Sequence, residues 1–212
     1  VKIEINRMHY PVKVLGFGAR VGIWVQGCSI RCPGCSARDT WDVDSSRAVD
    51  TDTVVELCSM MASGPVDGVT ISGGEPFDQS EALHELLGQL RVWLGALSDE
   101  ADVLCYSGRS IEYLANLHPE TMALLDCVVA GPFHAGVPTE HPLLGSGNQQ
   151  VVPLTELGRE RYGDYHGPRG FQVSAGHDSM LMIGIPRPGD LERLAEASAA
   201  VGVDFLETTW RM

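Results

Sequence analysis

Cys28-Ser-Ile-Arg-Cys32-Pro-Gly-Cys35 places three thiols within eight residues, in the spacing C-x3-C-x2-C. Three thiolates on one loop can ligate three irons of a cubane and leave the fourth iron without a protein ligand. An open coordination position is what separates a catalytic metal site from a closed structural one. A zinc site is the alternative, but it needs a fourth ligand, and His9 and His84 stand at no recognisable ligand spacing. The other three cysteines, Cys58, Cys105 and Cys127, lie scattered in apolar runs and read as inert core thiols. Cys58 shares a helical face with Val54, Leu57 and Met61.

A second motif, Ser72-Gly73-Gly74-Glu75-Pro76, closes the apolar run Gly68–Ser72. Paired glycines let a backbone approach a ligand and present amide groups to it. A plain strand-to-helix turn, with Pro76 in the first turn, is the other reading.

These residues need a scaffold. The runs 22–26, 68–72, 103–106 and 127–130 are short, β-branched and bounded by turn formers, so they predict buried strands. Between them, 52–63, 79–97 and 110–125 predict helices. Asp78 or Ser80 is the expected N-cap of the second, and Ser110, followed by Glu112, that of the third. Strands alternating with crossover helices imply an α/β fold with a parallel sheet, open or closed into a partial (βα) barrel. Both chemical motifs fall at carboxyl ends of strands, where such sheets build their sites. Residues 132–148 are rich in proline and glycine and read as a long functional loop. Beyond it, 170–174 and 179–185 predict an antiparallel pair around Gly176-His177-Asp178. Pro188 to Ala200 reads as an amphipathic helix carrying Leu191, Leu194, Ala195 and Ala199. The expected organisation is a core over 1–153 and a small α+β extension over 154–212 that completes the sheet or forms an annex.

Together the two cysteine and glycine motifs resemble the radical S-adenosylmethionine (SAM) superfamily. Within it the chain is similar to glycyl-radical-enzyme activases, notably the activating component of the anaerobic ribonucleotide reductase. Gly16-Phe-Gly18-Ala-Arg20, Ile23-Trp-Val-Gln-Gly27-Cys28, Thr40-Trp41, Tyr106-Ser107-Gly108, Gly131-Pro132-Phe133 and Gly145-Ser-Gly147-Asn148-Gln149-Gln150 carry the likeness in order. The resemblance implies a [4Fe-4S] cluster on Cys28, Cys32 and Cys35. It also implies an S-adenosyl-L-methionine site lined by Gly34, Ser36, Ser72, Gly73, Gly74, Glu75, Tyr106, Ser107 and Asn148. Tyr106 is otherwise a core aromatic and Asn148 a loop cap.

The implied chemistry begins with an electron from a flavodoxin or ferredoxin. Reductive cleavage of SAM then gives a 5′-deoxyadenosyl radical, which takes a hydrogen atom from a glycine of a partner enzyme. Action on a small molecule, such as a nucleotide or a modified peptide, and a non-catalytic metal module are the alternatives. Three departures from the activase pattern stand out: Ser36-Ala37-Arg38 where His-Asn-Pro is usual, Ala130 where an Asp is usual, and Gly16-Phe17-Gly18 for Gly-Pro-Gly.

With 212 residues and 44% apolar composition the chain has ordinary globular character. No run approaches the ~20 apolar residues of a membrane span, and the first ten residues lack a signal peptide's apolar core. A cytoplasmic protein without membrane association is expected. A net charge of −13 argues against binding nucleic acid polymers. Residues 1–38 carry six basic side chains against Glu4 alone, a net +5. That basic head either steers an anionic ligand or acidic partner or is an ordinary solvated surface.

Overall fold

A computed structural model describes residues 1–176 and 179–209. Four strands form the parallel heart of one sheet: β2 (Arg20–Val25), β4 (Gly68–Gly73), β5 (Asp102–Ser107) and β6 (Cys127–Ala130). Three more run antiparallel at its edges. β1 (Lys2–Val12) pairs with β2, β3 (Ala48–Asp50) with β1, and β7 (Gln150–Pro153) with β6. The order is β3-β1-β2-β4-β5-β6-β7, an open sheet with the expected parallel strands at its centre and antiparallel strands at its edges. The four expected strands sit where the apolar runs put them; the three edge strands are additions.

Alternation along the strands builds two cores. Val21, Ile23, Val25, Val69, Ile71, Val103, Cys105 and Val128 face a layer that includes α1 (Thr51–Met61) and α2 (Ser80–Leu97). On α2, Leu83, Leu86, Leu87, Leu90 and Leu94 recur at helical spacing, and all are buried. On α1, Val54 and Cys58 are buried, whereas Leu57 is 37% exposed at the margin of the expected face. The opposite sheet face carries Leu104, Cys127 and Val129, which pack against Leu143, Leu144, Tyr162 and Tyr165. Burial on both faces is why the central strands read as unbroken apolar runs.

The expected helix over 110–125 is broken into α3 (Ile111–Leu117) and α4 (Pro119–Met122). Pro119 has no amide to donate and pushes His118 out of helical geometry, to φ −133 and ψ 42. Ser110 caps α3 as expected, accepting from the Tyr113 amide.

After β7 the chain does not extend the main sheet. α5 (Glu156–Tyr162) docks on the second face. β8 (Phe171–Ala175) and β9 (Met180–Gly184) then form their own antiparallel pair, and α6 (Asp190–Ala200) follows. Gly176 accompanies the hairpin, while His177 and Asp178 of the expected turn lie outside the described residues. On α6, Leu191, Leu194 and Ala195 are half-buried, but Ala199 is exposed and Ser198 takes the buried position. An ionic knot ties α5 to the sheet. Arg20, fully buried, donates to both Asp102 carboxylate oxygens, at 2.8 and 2.9 Å, and to Thr70 Oγ1 at 2.7 Å. Tyr162 and Arg161 of α5 also donate to Asp102.

Candidate metal centre and cofactor site

The cysteine loop leaves the carboxyl end of β2 and is pinned at its base. Gly27 N donates to Thr40 O at 2.8 Å and Cys28 N to Trp41 O at 2.9 Å. The Gln26 amide reaches the Asp39 and Asp42 carbonyls. Inside the loop, Arg31 (φ +49) and Gly34 (φ +82) adopt left-handed backbone, and Cys35 N donates to Cys32 O. Such turns fold the chain back so that all three thiols come from one short arc.

The thiols divide by burial along the lines drawn from spacing. Cys28, Cys32 and Cys35 are partly exposed and unbridged; Cys58, Cys105 and Cys127 are buried. Burial pushes the Cys58 and Cys127 thiols up to about 12, which keeps them protonated and inert. Burial also raises Cys28, with the negative charges of Glu75 and Asp78 adding to it. Backbone amides already point at loop sulfurs: Ala37 N donates to Cys35 Sγ, and the Phe133 amide to Cys32. Among the described residues no set of three His, Cys, Asp or Glu closes tightly around one ion. A cubane places its three thiolates on three different irons, so this donor set fits a cluster by chemistry and exposure.

The Gly-Gly-Glu-Pro turn lies beside that loop, and two of its amides are taken up by the neighbouring chain. Gly74 N donates to Val25 O and Glu75 N to Gly27 O, both at 2.9 Å, because the end of β4 keeps pairing with the chain leaving β2. A Cβ on Gly74 would stand 2.0 Å from the Gly27 carbonyl oxygen, and one on Gly73 (φ +103) would stand 2.5 Å from Val25 N. Backbone crossing, at the least, requires these glycines.

Glu75 is 1% exposed and spends both carboxylate oxygens internally, on the Ser107 hydroxyl, the Gly108 amide and the Phe77 amide. Burial raises its pKa, only partly offset by those hydrogen bonds. Glu75, rather than Asp78 or Ser80, caps the turn ahead of α2, and Gln79 stands at the N-cap of α2 itself.

The remaining expected residues gather at the same edge of the sheet. Gly34 faces Phe133 and Ala135 of the long loop. Ser36 offers its carbonyl to Thr209 Oγ1 at 3.0 Å. Ser72 lies beside Trp24 in the parallel register, and Ser107 beside Ala130. Two candidates keep a buried polar atom without a partner, Tyr106 its hydroxyl and Asn148 its amide oxygen. Buried polar atoms are nearly always satisfied in a working protein. The Asn148 oxygen, at the close of the long loop, therefore fits a bound ligand that brings a polar group, as SAM does. The Tyr106 hydroxyl instead lies in the second-face core with Cys127, Tyr165 and Arg20 acting on it, the core aromatic of the alternative reading. The Asn148 amide nitrogen is already fixed on Pro132 O at 2.7 Å.

Sequence reasoning missed Ser29, Asp78 and Arg109. Asp78 accepts from the Ser29 amide at 2.7 Å and from Arg109 at 2.8 Å. Burial alone would raise Asp78, but these donors hold its carboxyl below the ordinary value. The only signal available was position, since Arg109 directly follows one motif and Asp78 stands two residues after another. An open cavity of about 320 Å³ borders Cys28, Ser29 and Asp78, with Arg31, Trp41 and Gln79 around it.

Of the two readings of the basic head, the ion pairs favour the ordinary surface over a steering patch. Arg31 pairs with Asp42 at 2.7 Å, Arg7 with Asp39, and Arg20 with Asp102. Two of those acids, Asp39 and Asp42, lie just beyond residue 38, so part of the excess over residues 1–38 reflects where the window stops.

A family model described as "4Fe-4S single cluster domain" matches residues 14–152. The chain is 30% identical over 148 residues to the anaerobic ribonucleoside-triphosphate reductase-activating protein of Enterobacteria phage T4, covering 69% of this chain and 92% of the phage protein. Its namesake in Escherichia coli K12 is 27% identical over 156 residues, covering 69% and 96%. The pyruvate formate-lyase-activating enzyme of Staphylococcus aureus is 40% identical over 82 residues, 36% of this chain and 32% of that enzyme.

Proposed function

Because the chain belongs to the 4Fe-4S single cluster domain family, we propose that it is a radical SAM activase that installs a glycyl radical on a partner enzyme. One observation carries the reading. The three partly exposed cysteines sit on one loop at the carboxyl edge of the sheet, while the other three are buried in the core. Cys28, Cys32 and Cys35 would hold the [4Fe-4S] cluster. Asn148 offers its unpartnered amide oxygen to SAM, with Ser72, Gly34 and Ser36 as further contacts and Tyr106 packed behind them in the core. Gly73 and Gly74 shape the cradle from behind by locking the end of β4 to the chain leaving β2, and Glu75 and Ser107 by locking the ends of β4 and β5 together.

With cluster and SAM bound, the chemistry supplied here is one-electron cleavage of the sulfonium and removal of a hydrogen atom from a glycine. The protein's own share is positioning and exclusion of water. The cavity beside Cys28 opens the cysteine loop to an electron donor, a flavodoxin or ferredoxin. A reducing cytosol suits this chemistry, and no nucleic acid polymer or membrane takes part. Among the described residues no helix is long and apolar enough to cross a bilayer.

A second reading, action on a small molecule, is favoured by the segment after Pro153. It lies across the second sheet face and reaches Ser36 through Thr209, which narrows the approach to the site. The deciding experiment is anaerobic reconstitution with iron and sulfide, followed by dithionite and SAM. Formation of 5′-deoxyadenosine establishes cleavage. A glycine-centred electron paramagnetic resonance doublet on a partner captured with the protein establishes activation. Cleavage with modification of a small molecule and no such doublet transfers the conclusion to the second reading.

A further inference from the structure

The Cys28 end of the loop is held by three polar side chains that meet from three strand ends. Ser29, after β2, donates its amide to Asp78 Oδ2 at 2.7 Å and its hydroxyl to Oδ1 at 3.0 Å. Arg109, after β5, donates from one Nη to Ser29 Oγ and to Asp78 Oδ1, each at 2.8 Å. Its guanidinium lies 5.2 Å from the Tyr113 ring centroid, and its carbonyl accepts from Gly131 N beyond β6. Ile30 seats against Gly108, where an added Cβ would come within 2.6 Å of its Cδ1.

The Asp78 and Arg109 side chains are 23% and 30% exposed. A pair so placed adds at most a modest amount to stability. Its location says more: one full negative and one full positive charge stand next to the residue that follows the first thiol. The potential of an iron–sulfur cluster responds to nearby charge and to the hydrogen bonds that orient its ligands.

We infer that Ser29, Asp78 and Arg109 are positioning residues that clamp the cysteine loop and whose opposed charges balance the reduction potential of the cluster. The inference rests on the cluster assignment made above. Asp78 opposes the arrival of an electron and Arg109 favours it, so the intact pair leaves little net bias. Loss of Arg109 exposes the cluster to an unbalanced carboxylate and makes it harder to reduce. Loss of Asp78 does the reverse. A brace with no electrostatic role would not move the potential in opposite directions.

The test uses the reconstituted full chain in a redox titration followed by visible absorption and electron paramagnetic resonance. Asp78→Asn is expected to shift the midpoint positive, Arg109→Gln to shift it negative, and the double variant to return towards wild type. In the cluster-free full chain, the Ser29 amide of Asp78→Ala is expected to exchange hydrogen about tenfold faster, having lost its acceptor. Single variants that shift the same way, or not at all, overturn the electrostatic role; unchanged Ser29 exchange overturns the clamp. Failure of the wild type to bind iron would instead sink the cluster assignment, and the exchange measurement would still decide the clamp.

Discussion

The Ser107 hydroxyl donates to Glu75 Oε1 at 2.8 Å, joining the ends of two adjacent parallel strands through a carboxylate that solvent does not reach. Burial holds Glu75 above its ordinary pKa despite three hydrogen bonds to its oxygens. The native state therefore binds that proton more tightly than the unfolded chain does. The associated stability is fully present below the ordinary carboxylate value and is lost as pH rises through the raised one. Glu75→Gln removes this dependence. Urea denaturation of the cluster-free protein between about pH 4 and pH 8 should show wild type losing stability relative to the variant as pH rises. Parallel profiles would refute the assignment.

Replacing Cys28, Cys32 or Cys35 by Ala should abolish the cluster, read as loss of bound iron and of brown absorption, with little effect on the melting of the apoprotein. Cys58→Ala and Cys127→Ala should do the opposite: the cluster stays and about 1 kcal/mol of stability goes, since both thiols fill core space. A full complement of iron in a Cys32→Ala protein would remove that residue from the ligand set.

Much of this was legible before any coordinates. Parallel strands buried on both faces leave continuous apolar runs, so β2, β4, β5 and β6 announce themselves, and with them the edge where the motifs gather. The edge strands do not. β1 alternates Ile3 and Ile5 with Lys2, Glu4 and Asn6, and a half-solvated strand of that kind resembles an exposed segment. Contacts across the sequence were equally hidden. Nothing local reveals that Ser29 meets residues 49 and 80 positions away. The same holds for Gly74, whose freedom from a side chain serves an encounter with Gly27, invisible until the strands pair.

Gly74→Ala should therefore destabilise the apoprotein itself, because its Cβ would press on the Gly27 carbonyl at 2.0 Å. Overpacking against backbone costs about 1–3 kcal/mol. Gly88 provides the contrast. It lies within α2 with nothing within 4 Å of an added Cβ, so Gly88→Ala should stabilise by about 0.5–1 kcal/mol. Thermal melting of both variants without cofactor decides the matter. An unchanged midpoint in Gly74→Ala, with loss only of SAM cleavage, would return that glycine to a ligand-facing role.

Asp102 is the anion that reconciles two arginines with the interior. Its substitution by Ala strands Arg20, which has no exposed side-chain area, and Arg161, which has 9%. Removing one partner of a buried ionic group costs about 3–5 kcal/mol. Burial alone would raise Asp102, but Arg20 overrides it and holds the carboxyl below its ordinary value. Its contribution is thus present above the ordinary carboxylate value and fades as pH falls through the lowered one. The Asp102→Ala deficit should be large at neutral pH and shrink in acid, and α5 should exchange faster because Arg161 and Tyr162 lose their anchor. A variant that melts like wild type would show the knot to be dispensable.

Ala130 departs from the activase pattern in the direction most easily tested. It is 3% exposed and packs in the core on the helical side of the sheet. It lies beside Ser107 in the parallel register, and Ser107 already serves the Glu75 carboxylate. An aspartate introduced there would place a second carboxylate in a dry pocket, near one whose proton is already hard to remove. Either the new group stays protonated or an unpaired charge is buried, at a cost of several kcal/mol. Ala130→Asp should lose about 3 kcal/mol at neutral pH, roughly 6–12 °C in Tm for a chain of this size. The loss should shrink towards acid pH, because the introduced carboxyl is penalised only once pH exceeds its value in the unfolded chain. Ala130→Ser, whose hydroxyl can bond within the strand end, should melt within about 1 kcal/mol of wild type. Uncoupled SAM cleavage measured alongside separates stability from site chemistry. If Ala130→Asp melts normally and cleaves SAM normally, the strand end already accepts the carboxylate usual in activases, and Ala130 marks drift within that family rather than a remodelled pocket.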